Sequence, residues 1–415
     1  MLDIASARAC VTCVYHLEQR TLERLPPSVS HSALNLLGKI LEIRPAAGST
    51  TALRLGFFDQ TFSWPSLLNF ANEHDLLAPL VFALRQRSLL FAVPHAADAD
   101  RQEKHITSRL TSAYNQHLFR QDDLRDQLFT IVAALNERQI IPLLIKGACH
   151  LTVMEGWSVA RGMRDLDILV RPAQVGDATA ALKSLGYQFA YLPELDGQNH
   201  LPQMQLRDRH GAVELHTGAL AFNAERLLPT DSIWELSSPR DFRGTHFRTL
   251  PGAWHVLHGL LHHQVADRGH ARHILALKGL WEFSMAASEL SAQDWRLIVA
   301  HMEDRGQIDV VSSWVAQANS LFGLPIPESV KISDDARHHA SQTLRRAAWP
   351  YPLRRAMFIT DQFGFAFHPE TLALRYGSRR QRSKLGMAGK HLIYLVRKYR
   401  GDALRRLIGS NRRIS

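Results

Sequence analysis

Residues Lys146 to Val170 read KGACHLTVMEGWSVARGMRDLDILV, and this stretch decides the fold. Its end, DLDILV (Asp165–Val170), alternates acidic and apolar residues, the pattern of a half-buried strand. Side chains at i and i+2 share a strand face, so Asp165 and Asp167 project side by side. Like charges held this close need a cation or a proton to neutralise them. Hard divalent cations such as Mg²⁺ take oxygen ligands of this kind. The start of the stretch follows an apolar run, QIIPLLIK (Gln139–Lys146), that reads as a buried strand entering a turn and a helix. A glycine at Gly147 lets backbone approach a phosphate, and the helix start offers free N–H groups to it. Arg161 and Arg164 add cationic donors, either for triphosphate oxygens or for a salt bridge to Asp165.

A D-x-D pair alone is a weak signal, because most such pairs are solvated strand ends. Its surroundings make it specific. Pro172 opens a helix, AQVGDATAALKSL, that stops at Gly186. Gln203–Leu206 and Ala212–His216 flank the turn RDRHG and read as a hairpin. Glu214, in AVELH, is the candidate third carboxylate, on a strand that can neighbour the Asp strand. Paired metals on such a set orient a nucleoside triphosphate and stabilise attacking and leaving oxygens. His216 shares the Glu214 face and either orients an acid or the acceptor, or is a hydrogen-bonded core histidine. Strand, helix, strand, helix and hairpin in succession describe a small core on a mixed sheet.

Helical patterns lie on both sides of this core. A Leu-rich pattern runs around Ser30 to Ile43. SWPSLLNFANEHD and LLAPLVFALRQR form a helix pair in which Ser63 is an N-cap and Pro65 an early helical residue. Thr107 to Arg138 is one long amphipathic helix, with Leu110, Tyr114, Leu118, Leu124, Leu128, Ile131 and Leu135 at helical spacing. Downstream, WHVLHGLLHHQ, LKGLWEFSMAASEL and DWRLIVAHMEDRG are helical. His255, His258 and His262 recur at helical spacing, with His263, His270 and His273 nearby. This is read first as a polar helix face beside the active site, then as plain structure, and last as a metal site.

Composition bounds the class. The chain has 415 residues, 46% hydrophobic and 21% charged, with three cysteines. That length suits two to three folding units, and the few cysteines argue against a disulfide framework. No apolar run approaches about 18 residues, so no transmembrane helix is expected. The opening MLDIASARACVTCVYHLEQR lacks a basic start leading into an apolar stretch, so a cytoplasmic protein is expected. Cys10-x-x-Cys13 is a single pair and weak evidence for zinc or redox chemistry. The formal charge of +10 is unevenly placed. Ser341–Ser415 holds 17 basic and three acidic residues, whereas the other 340 residues hold 32 and 36. The basic segment therefore points to an anionic partner, either a membrane surface (a peripheral location) or RNA, or else docks on the acidic body of its own chain.

With these motifs in place, the chain resembles the uncharacterised bacterial nucleotidyltransferases, a branch of the DNA polymerase β-like superfamily. The resemblance rests on LLIKG (Leu143–Gly147), RGMRDLDILV (Arg161–Val170), LKSLGY (Leu182–Tyr187) and VELH (Val213–His216), and covers about residues 60–285. It implies an α+β fold, a small mixed-sheet nucleotidyltransferase core between helical N- and C-terminal regions. It also implies Mg²⁺ in a two-metal site and an NTP donor, with Asp165 and Asp167 as metal ligands and Glu214 as the third acid, either a ligand or the base for the acceptor. Lys146 and Gly147, with Arg161, Arg164 and His216, would then hold the nucleotide. Where the superfamily prefers Gly-Ser or Gly-Gly at the turn, this chain has Gly147-Ala148, and Arg164 stands where the family often has glycine. The expected division is a helical region over 1–138, the core over 139–250, a helical region over 251–340 and a basic segment over 341–415. The leading expectation is transfer of a nucleoside monophosphate to an unidentified small molecule, peptide or protein. The alternatives are a catalytically silent nucleotide-binding scaffold and an RNA-directed transferase.

Overall fold

The computed structural model describes residues 27–57, 63–90, 100–190, 199–221, 223–369, 372 and 386–393. Cys10, Cys13 and about half of the basic segment, including much of the helical pattern near His391–Tyr399, lie outside the described residues. Among the described residues, five helices precede the sheet: α1 (Pro27–Ile40), α2 (Ser49–Gly56), α3 (Trp64–Glu73), α4 (Leu77–Gln86) and α5 (Asp100–Asn136). The start of α3 is capped as its sequence predicts: the Ser63 hydroxyl accepts the Ser66 N–H at 3.4 Å, and Pro65 sits in the first turn. The long amphipathic helix extends further upstream than its pattern, to Asp100. Its predicted stripe is buried at Leu110, Tyr114, Leu124, Leu128, Ile131 and Leu135, with Leu118 partly buried.

The core then alternates short strands and helices. It comprises β1 (Leu143–Leu144), α6 (Gly147–His150), β2 (Asp165–Leu169), α7 (Val175–Ser184), β3 (Gln188–Phe189), β4 (Met204–Gln205) and β5 (Ala212–His216). Two short helices, α8 (Asn223–Leu227) and α9 (Thr230–Leu236), lead to β6 (Ser238–Phe242) and β7 (Thr245–Thr249). The seven strands form one mixed sheet in the order β3-β4-β5-β2-β1-β7-β6. β2 runs parallel to β5, in a register that sets Asp165 opposite Ala212, Asp167 opposite Glu214 and Leu169 opposite His216. β4 and β5 pair antiparallel, as the RDRHG turn predicts. The β6–β7 hairpin is an addition that the sequence pattern had not signalled. Its turn is Arg243-Gly244, β6 is mostly exposed, and β7 buries Thr245, Phe247 and Thr249, of which only Phe247 is apolar, so periodicity gave no apolar alternation to read.

The alternation of β2 sorts the two sheet faces. Leu166 and Ile168, with Val213 and Leu215 of β5, pack on Leu124, Leu128 and Ile131 of α5 and on Ala178, Ala181 and Leu182 of α7. The opposite face carries Asp165, Asp167, Glu214 and His216. Leu169 shares that face and joins the larger apolar cluster.

The remaining helices are α10 (Gly252–Leu261), α11 (Gly269–Arg272), α12 (Leu277–Ala287), α13 (Ala292–Glu303), α14 (Ile308–Phe322), α15 (Asp334–Ala347) and α16 (Tyr351–Ala366). A single π-turn, His262–Ala266, continues α10. Ser291 and Asp294 form a reciprocal capping box on α13, and the Ser333 hydroxyl accepts the Ala336 N–H on α15. Among the described residues no helix is long and apolar enough to cross a membrane. The described residues fall into two compact units, one within 27–354 and the other from residue 355 on. In the second unit the His391 ring meets Phe367 edge-on, with centroids 5.3 Å apart.

One glycine controls the β5 register. Gly211 has φ +75°, and a Cβ there would lie 2.6 Å from Leu124 Cδ2 and 2.9 Å from the Arg164 carbonyl oxygen. Gly211→Ala is therefore expected to lower unfolding free energy by roughly 2 kcal/mol or more, combining backbone strain with overpacking. Chemical denaturation measures the loss.

Candidate active site

The parallel pairing of β2 and β5 assembles the carboxylates. Asp167 is 2% exposed, and its Oδ1 accepts Lys146 Nζ at 2.8 Å and His216 Nε2 at 2.9 Å. Glu214 Oε1 accepts Gln203 Nε2 at 2.7 Å, and its Oε2 lies 3.5 Å from His216 Nε2. Lys146 reaches Asp167 from a non-glycine backbone at φ 48° and ψ −123°, a sparsely populated region, at the junction between β1 and α6.

Electrostatics follow from this packing. Burial pushes the Asp167 carboxyl up, but the Lys146 ammonium and the His216 hydrogen bond outweigh it and hold the group far below the ordinary carboxylate range. Burial alone would lower Lys146, yet Asp167 raises it overall. His216 is raised in the same way, because hydrogen bonds to Asp167 and Glu214 overcome burial. Burial raises Glu214, while hydrogen bonds from His216 and Gln203 bring it below its usual value. Asp165 is compensated only in part, by the charges of Lys146 and Lys278. Burial raises it, and the neighbouring Asp167 and Glu214 charges raise it further. The face is thus short of positive charge at Asp165, which suits a hard cation.

The tight group of potential ligand atoms is Asp167, Glu214 and His216, all within 4.8 Å of one another. Asp165 stands beside this group on the same strand face. Asp165 and Asp167 open onto a cavity of about 380 Å³ that Lys146 and Arg161 also line. Its far wall is α10 and the π-turn, through His255, His258, His262 and His263, together with Lys278 and Glu282 of α12. The histidine face predicted beside the site is therefore a cavity wall. The rest of the cluster is separate: His270 and His273 stack on His339 of α15, with centroids 3.9 and 4.2 Å apart. His258 donates from Nε2 to the Ala219 carbonyl at 3.0 Å, and burial pushes its pKa down to about 3.

The two arginines part company. Arg161 Nη2 pairs with Glu282 Oε2 at 2.9 Å, in the cavity wall. Arg164 has a mostly exposed side chain that pairs with Asp75, in the turn that follows α3, rather than with Asp165. Sequence proximity to Asp165 did not predict this, because Asp75 lies 89 residues away and only the fold brings it close. Gly147 also has a different neighbour from the one expected. A Cβ there would sit 2.2 Å from Arg161 Nη1 and 3.0 Å from Met163 Cε, so the glycine makes room for the Arg161 guanidinium. α6 itself is only four residues long. His150, Lys278 and Glu282 were not anticipated. His150 had the one usable signal, its place four residues after Lys146 in the same turn.

Two measurements probe this arrangement. Gly147→Ala must displace the Arg161 guanidinium from its pair with Glu282, so a loss of about 1–3 kcal/mol is expected in chemical denaturation. His258 has a folded pKa of about 3, below its ordinary value of 6.5. A histidine kept neutral by folding stabilises above the unfolded value, and that stability is lost as pH falls from about 6.5 towards 3. His258→Gln, which keeps a donor for the Ala219 carbonyl, is expected to flatten the fall in thermal midpoint across that window.

No curated protein matches the chain. A solved structure of the antibiotic-resistance factor ANT(2'')-Ia is 15% identical, covers 44% of this chain and 92% of its own, and has a TM-score of 0.32. The model of a family described as uncharacterised nucleotidyltransferase matches residues 60–323, more than half of the chain. The chain belongs to that family and is a nucleotidyltransferase.

Proposed function

We propose that the enzyme transfers a nucleoside monophosphate from an NTP to an acceptor hydroxyl or phosphate, with Asp165, Asp167 and Glu214 holding Mg²⁺. The observation that carries this reading is the register of β2 against β5. It sets Asp167 beside Glu214 and leaves Asp165, on the same face, with a raised pKa and no neutralising partner strong enough to lower it. Oxygen donors of this kind and charge fit Mg²⁺. When bound, the metal neutralises charge on the attacking and leaving oxygens.

The chain's own groups supply the rest. Lys146 balances Asp167 in the metal-free protein, and its ammonium is then available to triphosphate oxygens. Arg161, seated over Gly147 in the cavity wall, is the second cationic donor. Gln203 and His216 fix the Glu214 carboxylate, which suits a positioned ligand better than a mobile base. Asp165, raised by burial and by the neighbouring Asp167 and Glu214 charges, gains most from a cation and is the ligand that faces the cavity beside Asp167. Residues 139–250 would form the catalytic core, and the helices of 1–138 and 251–340 would shape the acceptor pocket.

Mg²⁺-dependent NTP binding tests the assignment. The Asp165→Ala, Asp167→Ala double variant is expected to lose at least tenfold in affinity for Mg-NTP while keeping its far-ultraviolet circular dichroism. Equal binding by both proteins would reject the site. Labelled NTP, Mg²⁺ and a lysate of the host would then identify the acceptor.

A further inference from the structure

A second set of ligating atoms lies in the cavity wall, apart from the carboxylates. Cys149 and His150 sit on α6, directly after Lys146-Gly147, and His255 sits on α10. One ligand atom from each lies within 4.8 Å of the other two. His255 Nε2 is 3.1 Å from His150 Nε2, and Cys149 Sγ is 3.6 Å from His255 Nδ1 and 4.0 Å from its Nε2. We propose that Cys149 Sγ, His150 Nε2 and His255 Nε2 form a Zn²⁺ site whose fourth position opens to the cavity.

Geometry supports this. Zinc bonds of about 2.3 Å to sulfur and 2.0–2.1 Å to nitrogen, at tetrahedral angles, separate S and N by about 3.6 Å and two N atoms by about 3.4 Å. The two observed Nε2–Nε2 and Sγ–Nε2 separations differ from those values by about 0.3–0.4 Å, within reach of side-chain adjustment. Two imidazole nitrogens that face each other this closely share at most one proton, and a cation between them uses both lone pairs.

The chemistry supports it too. Burial holds His255 down to about 4 and His150 well below the ordinary histidine value, so both rings are neutral ligands. Burial pushes the Cys149 thiol up to about 12, so it is no activated nucleophile. Metal binding would convert it: Sγ bonds Zn²⁺ and the thiol proton leaves to solvent. A thiol and two imidazoles favour zinc over Mg²⁺, which separates this site from the carboxylate face. The nearby Arg161 guanidinium is paired with Glu282, so it does not face the site as an unbalanced charge. His150 and His255 line the cavity, which leaves the remaining zinc position for water or an acceptor group. Cys149 Sγ also donates to the Lys146 carbonyl at 2.9 Å. A bound zinc would therefore pin the Lys146-Gly147 turn to α10, a chain separation of 105 residues between His150 and His255.

The test uses the full chain with Cys10→Ser and Cys13→Ser, which leaves Cys149 as the last of three cysteines. Purified without metal, it is titrated with Co²⁺ in the presence of excess Mg²⁺. A near-ultraviolet thiolate-to-cobalt band, with visible bands of tetrahedral intensity, is expected, and Zn²⁺ should displace both. Their absence in this protein overturns the proposal without recourse to any further variant. Adding Cys149→Ser must abolish the thiolate band, and adding His255→Ala must weaken Zn²⁺ binding by at least about tenfold. Persistence of the band after Cys149→Ser, or unchanged affinity after His255→Ala, equally overturns it. The Asp165→Ala, Asp167→Ala variant must keep the cobalt spectrum, so loss of nucleotide binding and loss of zinc binding are read separately.

Discussion

The burial of Asp167 between Lys146 and His216 is the constraint on which the rest depends. Taking a carboxylate out of water costs several kcal/mol unless a partner compensates. Here the compensation comes from two directions, the end of β1 and the parallel strand β5. The strand order β5-β2-β1 is therefore also an electrostatic order. Removing either neighbour would leave an unbalanced charge beneath the helices. Lys146 accepts an unfavourable backbone conformation to make its contact, which places local strain at the turn between β1 and α6.

The same strand serves two masters. One face of β2 is apolar and packs on α5 and α7, so it anchors the sheet. The other carries the carboxylates towards a cavity covered by α10 and α12. A rigid apolar anchor on one side lets the polar side hold its geometry, because a shift of one residue would send the carboxylates into the α5 interface. Three acidic residues of the cavity wall are held by arginines, Glu282 by Arg161, Asp75 by Arg164 and Glu73 by Arg354, which ties separate segments of the chain together.

Much of this was legible in the residues. DLDILV announced a strand with two faces, VELH its partner, and Ser63-Trp64-Pro65 a helix start. Local physics governs each of these: pleat alternation, cap hydrogen bonds and glycine turns. Less was legible where partners are remote. Arg164 looked like a site residue because it precedes Asp165, but its partner is Asp75. Gly147 looked like a phosphate turn, but Arg161 fills the space above it. The β6–β7 hairpin had no apolar alternation to betray it, and the histidine series concealed two unrelated groups.

By itself, the sequence determined which faces are apolar and which acidic, where the helices begin, and that Asp165 and Asp167 share one strand face. These depend on residues a few positions apart. Tertiary structure alone decided the pairings: Lys146 with Asp167 across 21 residues, His216 with Asp167 across 49 and Arg161 with Glu282 across 121. Hydrogen bonds and ion pairs act over about 3–4 Å. Chain spacing cannot specify contacts of that range between distant segments, whereas strand order and helix packing do.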